Sequence, residues 1–267
     1  MCDALNVSRS GYYAWLNHIP SQRELANMEL DKKIKNYFNE HHQRYGAPRI
    51  TKLLQAQNEE VSHTRVERRM KHMGLKAIAK KKFKVTTDSE HTLPVYENIL
   101  NRDFTTTGIN QKWAGDISYV RTDEGWLYLA VVIDLHSRAV IGWSMNKRMT
   151  KSLVCDALMM ALFKRKFPKG VIMHTDRGSQ YCSKRYRKLI KKYQLIGSMS
   201  RRGNCWDNAI SESFFHTLKV ELIHEQRYYN RESAKHSIFE YIEVYYNQKR
   251  LHSSIDYKAP YEFEYAC

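Results

Sequence analysis

Three acidic residues carry the chemistry this chain could perform. Asp116 lies inside the strand-like run WAGDIS, although Asp is depleted in strands. Asp176 closes the apolar run Val171 to Met173 in VIMHTDRGSQYC, with Arg177 beside it and Gly178 marking a sharp exit from the strand. Glu212 stands in DNAISESFFHTLKVEL, where Asp207 or Asn208 is expected to cap a helix. On that helix Ile210, Phe214, Phe215, Leu218 and Leu222 gather on the core side, while Glu212, His216 and Lys219 fall on another face. Taken singly, each acid reads as a solvated turn or helix face. Brought together, three carboxylates repel one another unless a cation lies among them. Hard oxygen ligands select Mg²⁺ or Mn²⁺ over zinc. Two such ions, about 3.5–4 Å apart, clamp the attacking and leaving oxygens of a phosphodiester.

A polyanionic partner fits the charge. The 267 residues carry a formal net charge of +16. From Lys147 to Arg202 sixteen Lys or Arg stand against two acids, Asp156 and Asp176. With Tyr181, Tyr186 and Tyr193 interleaved, this stretch reads as a phosphate-backbone surface, and Arg177, Lys191 and Lys192 are its candidate DNA contacts. The five cysteines form no CxxC pair and no zinc spacing, so free thiols in a reducing cytoplasm are expected. No apolar run approaches the ~18 residues of a membrane span, and the N-terminus lacks a signal-peptide apolar region, so a soluble cytoplasmic protein with no membrane partner is expected.

The elements that must position these residues fall into two parts. Residues 22–42 are helical in pattern, with Leu25, Met28, Ile34 and Phe38 near one face. A second helix starts at Pro48; Asn58 to Glu60 make a turn; Ser62 caps a third helix that Gly74 ends. This spacing fits a helix-turn-helix with residues 62–73 as the reading helix, and Arg65, Arg68 and Arg69 suit DNA there. An ordinary helical bundle is the other reading. Residues 1–75 thus form a small all-α DNA-binding segment, and 76–110, basic and then turn-rich, a linker. From residue 111 to 267 the pattern changes. WAGDISYVR, WLYLAVVID and AVIGWSM are strand-like runs with short connections, followed by alternating helix, strand, basic helix and short strand. The predicted fold is α/β, a mixed sheet flanked by helices in which the first and fourth strands can lie side by side.

Asp116, Asp176 and Glu212, with 35 residues between the last two and Lys219 seven beyond the Glu, resemble the DDE motif of retroviral-integrase-like transposases. KWAGDISYV, HTDRGSQY, DNAISESFFHTLK and YNQKRLHSSI are similar to the insertion-sequence-three family, in particular its second-frame product, over nearly the whole chain. The resemblance implies an RNase H-like catalytic core behind a helix-turn-helix segment. It implies Mg²⁺-dependent cleavage at transposon ends and strand transfer by the freed 3′-OH, with Asp116, Asp176 and Glu212 as metal ligands and Lys219 on DNA. It also implies a homo-oligomer on DNA and a first-frame product as partner or fusion. Gly115 departs from the pattern, standing where Thr or Val is more usual. A non-catalytic DNA-binding regulator and a nuclease that cuts without joining are the competing readings.

Overall fold

The computed structural model describes residues 2, 5–78, 93–201 and 205–266, and side chains at all of these except 205 and 206. The chain divides into two compact units, Met1–Ala79 and Lys80–Cys267. In the first, Ser8 caps helix α1 (Arg9–Leu16), and a Ser21–Glu24 capping box starts α2 (Gln22–Glu40). Pro48 lies in the first turn of α3 (Ala47–Ala56), and Ser62 caps α4 (His63–His72). Asn58 and Gly74 take positive φ at the two helix exits, as a turn and a helix stop require. Helices α2, α3 and α4 pack together over Ile34, Phe38, Ile50, Leu54, Val66 and Met70. Leu25 and Met28, expected on the core face, are 48% and 54% exposed; Leu30 takes the buried position instead.

The second unit is built on a five-stranded sheet in the order β3-β2-β1-β4-β5. Strands β1 (Lys112–Thr122), β2 (Gly125–Asp134) and β3 (Val140–Asn146) form an antiparallel meander, as their short connections demand. β4 (Ile172–Thr175) runs parallel to β1, and β5 (Ile196–Met199) parallel to β4. These parallel neighbours need crossovers, supplied by α5 (Lys151–Lys164) and α6 (Lys184–Lys192). A Cβ on Gly142 would stand 2.3 Å from the Ala157 carbonyl, so only glycine lets α5 lie this close to β3. The core joins Trp113, Ile141, Leu158, Met173 and Met199, and the Trp113 indole donates to Asp134 at 3.2 Å.

The expected linker divides. Residues 79–92 lie outside the described residues. Residues 93–110 dock on the sheet: Leu100 is 2% exposed, and the Ile99 and Leu100 N–H groups donate to Ser198 Oγ. Backbone donors satisfied by a buried serine gave no periodic signal in the sequence.

After the sheet come α7 (Ala209–Glu221), α8 (Arg231–Phe239), which runs on into a π-helical stretch Glu240–Tyr246, and α9 (Pro260–Tyr265). The C-terminal YNQKR run ties these helices to the sheet and to one another. Asn247 accepts from the Val140 N–H at 2.9 Å and donates to the Val140 carbonyl at 3.0 Å, engaging the main chain of edge strand β3. Arg250 donates through Nε and Nη2 to Glu221, the last residue of α7, and Tyr241 donates to the same carboxylate.

Candidate active site

Strand pairing brings the two aspartates together. Gly115 is opposite Thr175 in the parallel β1–β4 register, so Asp116 and Asp176 both follow directly from the last paired position. Asp116 accepts from its neighbour Ile117 N–H at 2.8 Å, and Asp176 accepts from Gly178 N–H at 2.9 Å. A Cβ on Gly178 would stand 3.0 Å from the Asp176 carboxylate and 3.1 Å from the Gln180 side chain, so the turn holds that carboxylate close. The small Gly115 is matched from the next strand: its missing Cβ would fall 2.6 Å from the Met173 methyl, which fills that space.

The electrostatics follow from this placement. Burial, then the Asp176 charge, pushes the Asp116 carboxyl well above the usual range, and Glu212 adds to the effect. Glu212, in the first turn of α7, is raised by burial. Lys219 is lowered by burial, against the pull of Asp116. Lys219 is a largely buried residue. It is 8% exposed and lies 5.1 Å from the Tyr119 ring centroid. Helix α7 packs against β1, which carries that Tyr119 ring.

Among the described residues, no three acidic, histidine or cysteine side chains converge closely enough to enclose a cation. The structure therefore holds Asp116 and Asp176 as a pair, with Glu212 within electrostatic reach of Asp116 on a separate element. Of the expected α7 core stripe, Phe214, Phe215, Leu218 and Leu222 are buried and Ile210 is half-buried. His216 is half-buried beside it.

The basic candidates separate by exposure. Lys191 and Lys192 are exposed on α6. Lys191 lines a groove of about 500 Å³ with Lys184, Arg187, Lys188 and Tyr96. Arg177 is turned inward, its Nε donating to the Ser200 carbonyl at 2.7 Å. On α4, Arg65 donates to Asn27 at 3.0 Å and Arg69 pairs with Asp31, so both fasten α4 to α2; Arg68 is exposed.

Two expectations are corrected here: Tyr181 and Tyr186, read as part of the basic phosphate-binding surface, are buried, and Asp207 is not a helix cap. Tyr181 is 2% exposed and its hydroxyl finds no hydrogen-bond partner among the described residues. Burial, with the fields of Asp116 and Asp176, raises it well above the usual phenol range. Asp207 caps no helix; it binds two arginines at the entrance to α7. Its position in DNAISES was the available signal, but cap and ion-pair roles use the same residue type.

Residues 107–205 and 212–266 match models of the integrase core domain, and residues 24–83 match a model of an HTH-like domain. A sheet of this order with paired aspartates at the β1 and β4 positions, on an integrase core, defines a DDE-type polynucleotidyl transferase. The chain is 51% identical over 266 residues to the transposase InsF for insertion sequence IS3A of Escherichia coli, covering 99% of this chain and 92% of that one. It belongs to the IS3 family of transposases. Among solved structures it is similar to the simian T-cell lymphotropic virus intasome in complex with PP2A regulatory subunit B56 gamma, with a TM-score of 0.50 and 16% identity, covering 86% of this chain and 74% of that one. It is also similar to the HTLV-2 integrase catalytic core domain in complex with magnesium, with a TM-score of 0.48 and 18% identity, covering 60% of this chain and 99% of that one.

Proposed function

We propose that the chain cleaves DNA at insertion-sequence ends and joins the freed 3′-OH to a target strand, with Mg²⁺ or Mn²⁺ as cofactor. The observation that carries this reading is the pair Asp116 and Asp176, each directly after the last paired position of the neighbouring parallel strands β1 and β4, where burial and the Asp176 charge push the Asp116 carboxyl well above the usual range. That donor set fits a hard divalent cation, whose charge would offset the repulsion between the crowded carboxylates. Asp116, Asp176 and Glu212 would hold two ions, Glu212 joining from the first turn of α7. When bound, the ions supply charge neutralisation at the attacking and leaving oxygens of the phosphodiester.

The chain's own residues do the rest. Lys219, within electrostatic reach of Asp116, contacts the DNA strand next to the scissile phosphate. His216, on the same helix, and Arg177, after Asp176, flank that strand. Lys191 and Lys192 bind phosphates along α6. In the first unit α4 reads or grips DNA, with Arg68 exposed to reach it, while Arg65 and Arg69 set the helix on its neighbours. The protein works in the bacterial cytoplasm as a homo-oligomer on DNA, with a first-frame product as partner or fusion.

The test is incubation of the purified chain with labelled candidate ends, target DNA and Mg²⁺, scored for cleaved and joined products. Asp116→Asn, Asp176→Asn and Glu212→Gln should each abolish both products while end binding survives. Cleavage without joining would leave a nuclease, and binding without either product a regulator. Mg²⁺-dependent joining by any one variant removes that residue from the site.

A further inference from the structure

The Asp207 carboxylate is fully buried and accepts five hydrogen bonds from the described residues. Asn98 Nδ2 donates at 2.9 Å, Arg102 Nε at 3.0 Å, and Arg201 through its main-chain N at 2.9 Å and its Nε and Nη2 at 3.0 Å. The donors come from separate places: Asn98 and Arg102 from the segment before β1, Arg201 from just beyond β5. One side chain thus joins that segment, the exit of β5 and the start of α7. These hydrogen bonds hold Asp207 far below the usual carboxylate range, so it is charged at any working pH.

The clasp sits over a second buried pair. His174, two residues before Asp176, meets Ser198 Oγ at 2.9 Å, and Ser198 also receives the Ile99 and Leu100 N–H groups. The strand that bears Asp176 and the helix that bears Glu212 are therefore tied to the same short segment, residues 98–102.

We propose that Asp207 is a positioning residue for Glu212. The proposal rests on the reading of Glu212 as a metal ligand. The start of α7 has no cap of its own: Asn208 occupies the N-cap position without a side-chain hydrogen bond. What fixes that end is Asp207, five residues before Glu212. Arg201 and Asp207 also close the loop between β5 and α7 on a single carboxylate, so the loop is pinned at both ends. The Arg102 and Arg201 side chains are each 47% exposed, which places the clasp at the open end of the sheet and outside the apolar core. A metal ligand on a helix tolerates little displacement, and residues that orient ligands typically change metal affinity by about 10–100-fold.

The experiment is a double-mutant cycle in the full chain, using wild type, Asp207→Asn, Glu212→Gln and the double variant. Mn²⁺ is titrated without DNA, with free ion followed by electron paramagnetic resonance. Cleavage is measured in parallel against Mg²⁺ and against DNA concentration. Asp207→Asn should weaken Mn²⁺ binding about tenfold and shift Mg²⁺ activation equally, with KM for DNA within about twofold of wild type. In the Glu212→Gln background the same change should add nothing. An unchanged Mn²⁺ isotherm, or an equal loss in both backgrounds, overturns the positioning role. A Glu212→Gln chain with wild-type Mn²⁺ affinity overturns the ligand reading itself. Should Asp207→Asn melt below the assay temperature, Arg102→Ala breaks one arm from an exposed side chain and carries the same cycle.

Discussion

Replacing Arg250 by Met should unseat the far end of the helix that carries Glu212. Arg250 makes three hydrogen bonds to Glu221, at 2.7, 2.9 and 3.1 Å, and Tyr241 adds another at 2.8 Å. The two charged side chains are only 6% and 8% exposed. Removing the guanidinium leaves Glu221 as a buried carboxylate without its cation, at a cost of about 3–5 kcal/mol. For a unit of this size each kcal/mol moves the melting point by about 2–4 °C, so the core transition should fall by roughly 6–20 °C. Replacing these three polar members together, with Arg250→Met, Glu221→Leu and Tyr241→Phe, should recover most of that loss, because the carboxylate is then no longer buried without its cation. Differential scanning calorimetry at neutral pH decides it. A single Arg250→Met variant melting within about 2 °C of wild type, or a triple variant melting as low as the single one, refutes the reasoning.

Removing charge at Lys191 and Lys192 together should flatten the slope of log DNA affinity against log salt by roughly two units, one for each phosphate no longer neutralised; an unchanged slope shows that they face solvent in the complex. Lys219→Met keeps the apolar stem and removes the charge, and should weaken cleavage by roughly 1–3 kcal/mol, the usual worth of a charged hydrogen bond, with excess DNA restoring part of it. Superimposable cleavage curves against DNA concentration exclude a role for the ammonium on DNA. Asp207 is depressed in the folded state, so its stabilisation is complete above the ordinary carboxylate pKa of about 4 and is lost as pH falls toward the folded value. Melting curves of wild type and Asp207→Asn should accordingly converge below about pH 4, and curves that stay parallel to about pH 3 show that the carboxylate charge is not what stabilises the clasp.

The sheet and its two aspartates were legible because their signals are local. β-rich runs with short connections define the meander, and an Asp inside WAGDIS is conspicuous where Asp is unfavourable. The α7 stripe followed from helical period alone. What escaped depends on partners far away in the chain. Arg65 and Arg69 looked like DNA ligands, yet their anchors Asn27 and Asp31 lie 38 residues earlier. Lys219 was expected on DNA, and nothing in its own helix reveals the Tyr119 ring on β1. Residues 93–110 looked like a tether because their hold on the sheet runs through single polar atoms such as Ser198 Oγ, which leave no pattern.

The grip of Asn247 on Val140 has a consequence for how the protein behaves in a crowded cell. β3 is an outermost strand, and an outermost strand offers its unpaired amides to any other extended chain. The carboxamide of Asn247, with one donor and one acceptor aligned on a single residue, imitates the next strand for one rung of the ladder. Tyr261, a hydrogen-bond partner of the same amide, braces the imitation from α9. The C-terminal turns thus act as a stopper against strand-to-strand polymerisation, and a nascent chain that has not yet folded them back would be at its stickiest along β3.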